Sequence, residues 1–463
     1  MHRYYSLAAG AVLASLAMAA LPTTGDAVPV YVRQTGLSCN QCHVSPFRSP
    51  DFTWTGMKFR FNGWRAPWIA DRIEAGEEGK LGGHRMSIAT ALPLNLHTRT
   101  VLLEQSRSSF RPGDPKPDAG PISSDPFTTM ALSITGPLND YVAHWNELYI
   151  QGAPNVAEGV PSTMGQVSIN HWDIVAAFNP ANNPSNVIGF NLRTHPSGNH
   201  NFFAAVPGGA QNHMFTANVG QKVKSRYLQM SGYTLLADRV AIMLGVESGD
   251  DNWDWDRFGL VAQAGYFFFN SDDLWMQSNI WIRTGDDYVP AVSRYRINSD
   301  RSLRLADRFS GISALREVAG GPDEPYASEH IGDVTRGLLS YQLGFADRGP
   351  HSANCEVSFG FTDETYEDGA EYRMRSVGGA CLYIYDRTYG IVPGFRIVPT
   401  QTFTDPGGTE YDLSSDLRLN VDFQWRMSMN MAWLLRVSQS QSVRLNEKWN
   451  KGWSWQFMWS WAI

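Results

Sequence analysis

The last eleven residues read Trp453-Ser-Trp-Gln-Phe-Met-Trp-Ser-Trp-Ala-Ile463. Every odd position is aromatic or aliphatic, and the even ones are Ser454, Gln456, Met458, Ser460 and Ala462. A period of two describes a strand whose side chains stand alternately on two faces, one greasy and one not. The same parity appears upstream, where Leu413, Leu417, Leu419, Val421, Phe423 and Trp425 alternate with Asp412, Ser414, Asp416, Arg418, Asn420, Asp422 and Gln424. A third strand, Met427 to Val437, repeats it with Ser428, Asn430, Arg436 and Ser438 on the polar side. A soluble sandwich turns its apolar face inward. An apolar face opposite a charged one, repeated on strand after strand, fits a barrel with lipid outside and a wet lumen.

The connections alternate in length. Tight ones include Gly136-Pro-Leu-Asn-Asp140, Asn270-Ser-Asp-Asp273 and Asp386-Arg-Thr-Tyr-Gly390, and long polar ones cover about 107–125, 195–222 and 285–332. Eight long and seven short connections predict roughly 16 antiparallel strands over residues 84–463, with both ends of the barrel on one side. The terminal strand also resembles the assembly signal of outer-membrane proteins, with Ile463 where Phe is usual.

Composition narrows the class further. Aromatic residues make up 12% and charged ones only 18% of the 463 residues. Beyond the N-terminus no apolar stretch reaches the roughly 18 residues that a spanning helix needs. The net charge of −7 argues against a nucleic-acid partner, whose phosphates demand a basic surface. At the start, Arg3 precedes an almost uncharged run from Leu7 to Leu21 and the small residues of Gly25-Asp-Ala27. Residues 1–27 therefore read as a secretory signal peptide, and export brings an oxidising compartment.

Residues 28–83 form a separate region that holds Cys39-Asn-Gln-Cys42-His43. In a c-type site two thiols bond to the haem vinyl groups, and the adjoining histidine becomes the proximal axial ligand of the iron. Cys39, Cys42 and His43 have that spacing, which predicts one haem c. A redox pair or half a zinc site would not need the histidine. Met57, His84, Met86 and His97 are candidates for the distal position, and for Met57 packing under the haem edge competes with ligation.

The other two cysteines lie apart. A hairpin turning at Tyr366-Glu-Asp-Gly369 sets Cys355 opposite Cys381, so a cross-strand disulfide competes with two buried thiols. Reading Leu382 and Ile384 as lipid-facing turns Cys381 inward, whereas Val357 and Phe359 turn Cys355 outward, a parity that a one-residue bulge would alter. The acidic runs Glu247-Ser-Gly-Asp-Asp-Asn-Trp-Asp-Trp-Asp256 and Asp363-Glu-Thr-Tyr-Glu-Asp368 are candidates for gathering cations, or simply solvated loops.

The N-terminal region bears a likeness that the barrel alone does not. Pro29-Val-Tyr-Val-Arg33-Gln34-Thr35-Gly36-Leu-Ser-Cys39-Asn-Gln-Cys42-His43, then Phe47, then Gly56-x-x-Phe59-Arg60-x-Asn62-Gly63-Trp64, resembles the fused outer-membrane cytochrome–porins linked to iron oxidation. Phe47-Arg-Ser-Pro50 interrupts that family's Phe-Pro pair, and Thr55-Gly56-Met57 stands where it has Phe-Gly-Arg, so the chain looks like a divergent member. The resemblance implies a bacterial outer-membrane protein whose haem segment occupies the lumen or its periplasmic side. It further implies extracellular Fe(II) as electron donor and a periplasmic cytochrome or cupredoxin as acceptor. Two readings compete with it: a haem conduit for reduced sulfur or a mineral, and a diffusion porin with a haem-bearing plug.

Overall fold

In this computed structural model the described residues are 39–44, 52–69, 94–107, 113, 115–138, 141–151, 166–194, 228–248, 258–287, 295–297, 303–305, 331–348, 350–366, 369, 371–386, 388–404, 407–408, 410–412, 414–428, 431–444, 447–448 and 451–462. The expected signal peptide, and His84 and Met86, lie outside them.

The first half of the wall is β1 (Leu94–Arg107), β2 (Ser123–Pro137), β3 (Val142–Gln151), β4 (Gln166–Phe178), β5 (Val187–Thr194), β6 (Leu228–Leu236), β7 (Val240–Ser248) and β8 (Phe258–Asn270). The second half is β9 (Trp275–Asp287), β10 (Ile331–Arg348), β11 (His351–Tyr366), β12 (Glu371–Tyr385), β13 (Tyr389–Thr404), β14 (Ser414–Ser428), β15 (Met431–Arg444) and β16 (Gly452–Ala462). Each pairs antiparallel with its neighbours in the chain. The last pairs with the first, from His97↔Ala462 to Arg107↔Trp453, so the sheet closes without a free edge. The 18-stranded sheet thus consists of these sixteen wall strands and two short strips, Glu410–Asp412 and Glu447–Lys448.

Seven short connections, 138–141, 179–186, 237–239, 271–274, 349–350, 386–388 and 429–430, share one rim with the start of β1 and the end of β16. In an outer-membrane barrel the rim of short turns is the periplasmic one. The third strand begins at Met431 rather than Met427. Ser428 closes β14 opposite Met431, so the strand pair turns between them and Met427 belongs to β14.

Face parity follows the alternation. On β14, Leu419, Phe423 and Trp425 are exposed, while Asp422, Gln424 and Arg426 are buried. Cross-strand aromatic pairs consolidate the outer face, with Trp433 stacked on Phe457 at 5.2 Å and tilted against Trp459 at 6.3 Å. Near the short-turn rim the outward residues are aromatic, among them Tyr141, Phe178, Phe268, Phe269, Tyr385, Tyr389 and Trp425, in the pattern of an interfacial girdle. No helix among the described residues is long and apolar enough to cross a membrane. Ile280→Arg, midway along the exposed face of β9, should lower barrel stability by about 2–4 kcal/mol in lipid vesicles, measured by urea unfolding.

The inward face differs from a water-filled pore. Phe267, Trp275, Trp281, Arg193, Arg283, Arg336 and Tyr372 are all fully buried. Leu382 and Ile384 also turn inward, which corrects their reading as lipid-facing. Strands β11 and β12 pair without a register shift from His351↔Tyr385 to Thr365↔Glu371, so no bulge intervenes, and Cys355 and Cys381 meet on the outer face, joined as a disulfide.

Candidate functional site

The CxxC stretch forms one helical turn, Cys39–Cys42, and a longer helix follows, α1 (Trp54–Phe61). Thr53 joins the two. Its side chain caps α1 by accepting from the Gly56 N–H at 3.1 Å, its hydroxyl donates to the Gln41 carbonyl, and its N–H donates to the Cys42 carbonyl at 3.0 Å. His43 adds a β-bridge to Phe52, with the rings 4.9 Å apart.

Gly56 is what allows the approach. A Cβ there would lie 2.0 Å from the Cys42 carbonyl oxygen, a contact that only glycine avoids. At the far end Gly63 takes φ +68° and Trp64 φ 57°. The Trp64 N–H donates to the Phe59 carbonyl and the Gly63 N–H to the Arg60 carbonyl, each at 3.0 Å, which is a Schellman stop with glycine in its left-handed position.

Helix α1 lies inside the short-turn rim and is tied to three of its turns. Thr55 donates through its N–H and its hydroxyl to Asp272 at 2.8 and 2.6 Å. The Lys58 ammonium meets Asp238 at 2.8 Å and Ser185 at 3.3 Å. The Asn62 amide donates to the Pro184 carbonyl and accepts from Asn179, and the Tyr233 hydroxyl donates to the Phe61 carbonyl at 2.8 Å. Trp54 and Phe61 both set their rings edge-on to Phe267 of β8, at 5.0 and 6.0 Å. The helix is therefore a plug whose apolar side backs onto the wall, which is why that wall carries apolar residues on a face expected to be polar. Asp272→Ala removes the acceptor of two hydrogen bonds, and should weaken plug docking by about 1–3 kcal/mol, visible as faster hydrogen exchange at the α1 amides with wall amides unchanged.

The predicted site residues fall within or beside this plug. Cys42 is a half-buried thiol directly against α1, and the backbone of Cys39 opens its helical turn. His43 Nδ1 is buried without a hydrogen-bond partner. Burial lowers the imidazole from its ordinary value to about 4, with Arg426 of β14 adding to the effect, so the ring is neutral at any pH near 7. A neutral imidazole with an unmet ring nitrogen beside a thiol suits a c-type haem, for which His43 would be the axial ligand and Cys39 and Cys42 the thioether anchors. Met57 is 2% exposed and shares the face of α1 that carries Trp54 and Phe61. His97 lies in β1, opposite Ala131 and Ala462.

Arg426 lies near the rim end of β14, a strand far around the barrel from the β4–β9 turns that hold α1. Comparison with known proteins finds likeness only among solved structures. No family model matches the chain, and no curated protein does. Solved porins of the outer membrane resemble it at low identity. A loop-deletion mutant of OmpT from Vibrio cholerae is 10% identical with a TM-score of 0.46, covering 80% of this chain and 98% of that one. The anion-selective porin from Comamonas acidovorans is 8% identical at 0.46, covering 80% and 99%, and Pseudomonas putida OprB is 8% identical at 0.48, covering 80% and 93%. The closed barrel itself rests on the strand pairing.

Several residues of the plug were not legible as functional. Thr53, Thr55, Lys58, Asp238 and Asp272 meet only through contacts spanning up to 217 positions in the chain. Thr53 alone carried a signal, an N-cap threonine ahead of a helix. Gly56, Phe59, Arg60, Asn62 and Gly63, by contrast, all belonged to the quoted motif, and each now has a docking or capping duty. Arg60 is 5% exposed against Trp64, and burial together with Arg193 lowers its guanidinium to about 9 while Asp173 opposes that.

The two acidic runs are committed elsewhere. Glu247 faces the lumen 3.8 Å from Arg283, Glu364 pairs with Arg336 at 2.8 Å, and Asp363 pairs with Arg375 at 2.9 Å on the outer face. Residues 249–257 and 367–368 lie outside the described residues.

Proposed function

We propose that the chain is an outer-membrane electron conduit, with a haem c on Cys39, Cys42 and His43 at the periplasmic mouth, extracellular Fe(II) as donor and a periplasmic cytochrome or cupredoxin as acceptor. The observation that carries it is the coupling of the CxxCH turn to a helix docked inside the short-turn rim. Gly56 presses α1 against Cys42, and Asp272, Asp238 and Tyr233 fix α1 to the wall.

A haem held by Cys39, Cys42 and His43 would supply one-electron chemistry between donor and acceptor. The protein's own contribution is position and insulation. His43 is held neutral for ligation, Phe52 flanks its ring, and the buried Phe267, Trp275 and Trp281 leave the wall beside the plug dry. Fe(III) is insoluble at neutral pH, so a conduit that leaves the iron outside spares the periplasm.

Proteoliposomes with oxidised cytochrome c trapped inside test the reading. External Fe(II) should reduce the trapped carrier while the vesicles exclude sugars. Sugar-driven swelling without reduction of the carrier points instead to a diffusion porin. Reduction by sulfide but not by Fe(II) points to a different donor.

A further inference from the structure

Five acidic side chains are buried among the described residues: Asp173, Glu247, Glu356, Glu364 and Asp422. Four have an arginine to answer them. Glu247 faces Arg283, Glu364 meets Arg336, Asp422 meets Arg436 at 3.1 Å, and Asp173 acts on Arg60. Glu356 does not. It projects inward from the middle of β11 with 3% exposure, and its Oε2 is buried with no hydrogen-bond partner. An ionised carboxylate left so costs several kcal/mol, of order the penalty for an unpaired buried ion.

Its neighbours are unmet in the same sense. Glu356 is paired across the sheet with Gln342 of β10, and Gln342 with Gln277 of β9. These amides look after one another, Gln277 donating to Gln342 and Gln342 donating to Asn354 at 2.7 Å, so none of those hydrogen bonds serves the carboxylate. One inward step along, Ser340 sits between Asn279 and Ser358. The Ser340 hydroxyl, the Gln277 Oε1 and both amide atoms of Asn279 are buried without partners. Four acceptor oxygens from three adjacent strands, Glu356 Oε2 among them, therefore lack a donor at inward positions that are registered neighbours or one step removed.

We propose that Glu356, with Ser340 and the amide oxygens of Gln277 and Asn279, forms a lumen site for a partly hydrated hard divalent cation. Hard cations take carboxylate, hydroxyl and amide oxygens, and a cation supplies the positive partner that every other buried carboxylate already has. With one charged ligand the affinity is modest, a dissociation constant of about 10⁻⁴–10⁻³ M. The site stands independently of any haem.

Mn²⁺ binding to the full chain in detergent, counted from the free-ion electron paramagnetic resonance signal, tests it. Glu356→Gln should lose one equivalent of Mn²⁺ relative to wild type. Ser340→Ala should keep the stoichiometry but bind about tenfold more weakly, and it serves as the test should Glu356→Gln fail to fold. Asp363→Asn, which alters an exposed ion pair on the outer face, should bind as wild type. Equal Mn²⁺ binding by wild type, Glu356→Gln and Ser340→Ala overturns the proposal. So does a wild type that lacks this equivalent while Glu356→Gln melts no lower, since Glu356 is then a neutral, protonated acid.

Discussion

His43→Ala leaves the barrel inserted and heat-modifiable but abolishes reduction of the haem by Fe(II). The imidazole takes no part in the strand ladder; its ring packs on Phe52, and the β-bridge to Phe52 is a main-chain contact that alanine keeps. Removing it therefore costs the wall nothing. Removing the neutral ring nitrogen placed beside the CxxC turn would deprive the proposed haem iron of its axial histidine. Perturbing even the partners of metal ligands commonly costs 10–100-fold in affinity or activity, so loss of the ligand itself should slow reduction by at least about a hundredfold. Stopped-flow absorbance on the purified variant measures this. Reduction at the wild-type rate would show that the motif is not the redox centre.

Gly56→Val should unseat the plug while leaving the barrel closed. Its new Cβ would stand 2.0 Å from the Cys42 carbonyl oxygen and 3.0 Å from the Phe52 ring, and a backbone oxygen cannot swing aside as a side chain can. To relieve it, α1 must move off the Cys39–Cys42 turn, breaking the Thr53 hydrogen bonds to Cys42 and Gln41. Overpacking of this kind costs about 1–3 kcal/mol. Amide exchange across Thr53–Asn62 should accelerate by roughly 5- to 150-fold, at about 1.4 kcal/mol per factor of ten. Gly232→Ala, where the nearest atom to a new Cβ is 3.9 Å away, is the matched control and should change nothing. Unaltered exchange in Gly56→Val would mean that the helix and the CxxC turn do not pack as described.

The wall was written plainly in the residues because a strand in lipid must satisfy its backbone within the sheet and sort its side chains by parity. Along β14 the outward Leu419, Phe423 and Trp425 are exposed and the inward Asp422, Gln424 and Arg426 are buried, so a one-dimensional pattern suffices. Connection lengths then set the strand number. The plug is different. Phe267, Trp275, Leu382 and Ile384 break the parity because they face the buried interior of the barrel rather than lipid, and nothing local distinguishes an apolar residue facing a buried interior from one facing lipid. The docking bonds of Thr55 to Asp272 and Lys58 to Asp238 join residues 217 and 180 positions apart, beyond the reach of any periodicity. Even so, the short motif Gly56-x-x-Phe59-Arg60-x-Asn62-Gly63 coincides with the residues that pack and stop α1. Spacing that tight is set by a close backbone approach at one end and a left-handed stop at the other.

One experiment bears on the conduit more directly than any variant: the visible absorption spectrum of the purified protein, recorded before and after anaerobic addition of Fe(II). The expected result is one covalently bound haem c per chain that survives acid–acetone extraction and shifts to the ferrous spectrum when Fe(II) is added. A chain that carries no covalent haem, or a haem that only dithionite can reduce, contradicts the assignment of Cys39, Cys42 and His43 to iron-driven electron transfer.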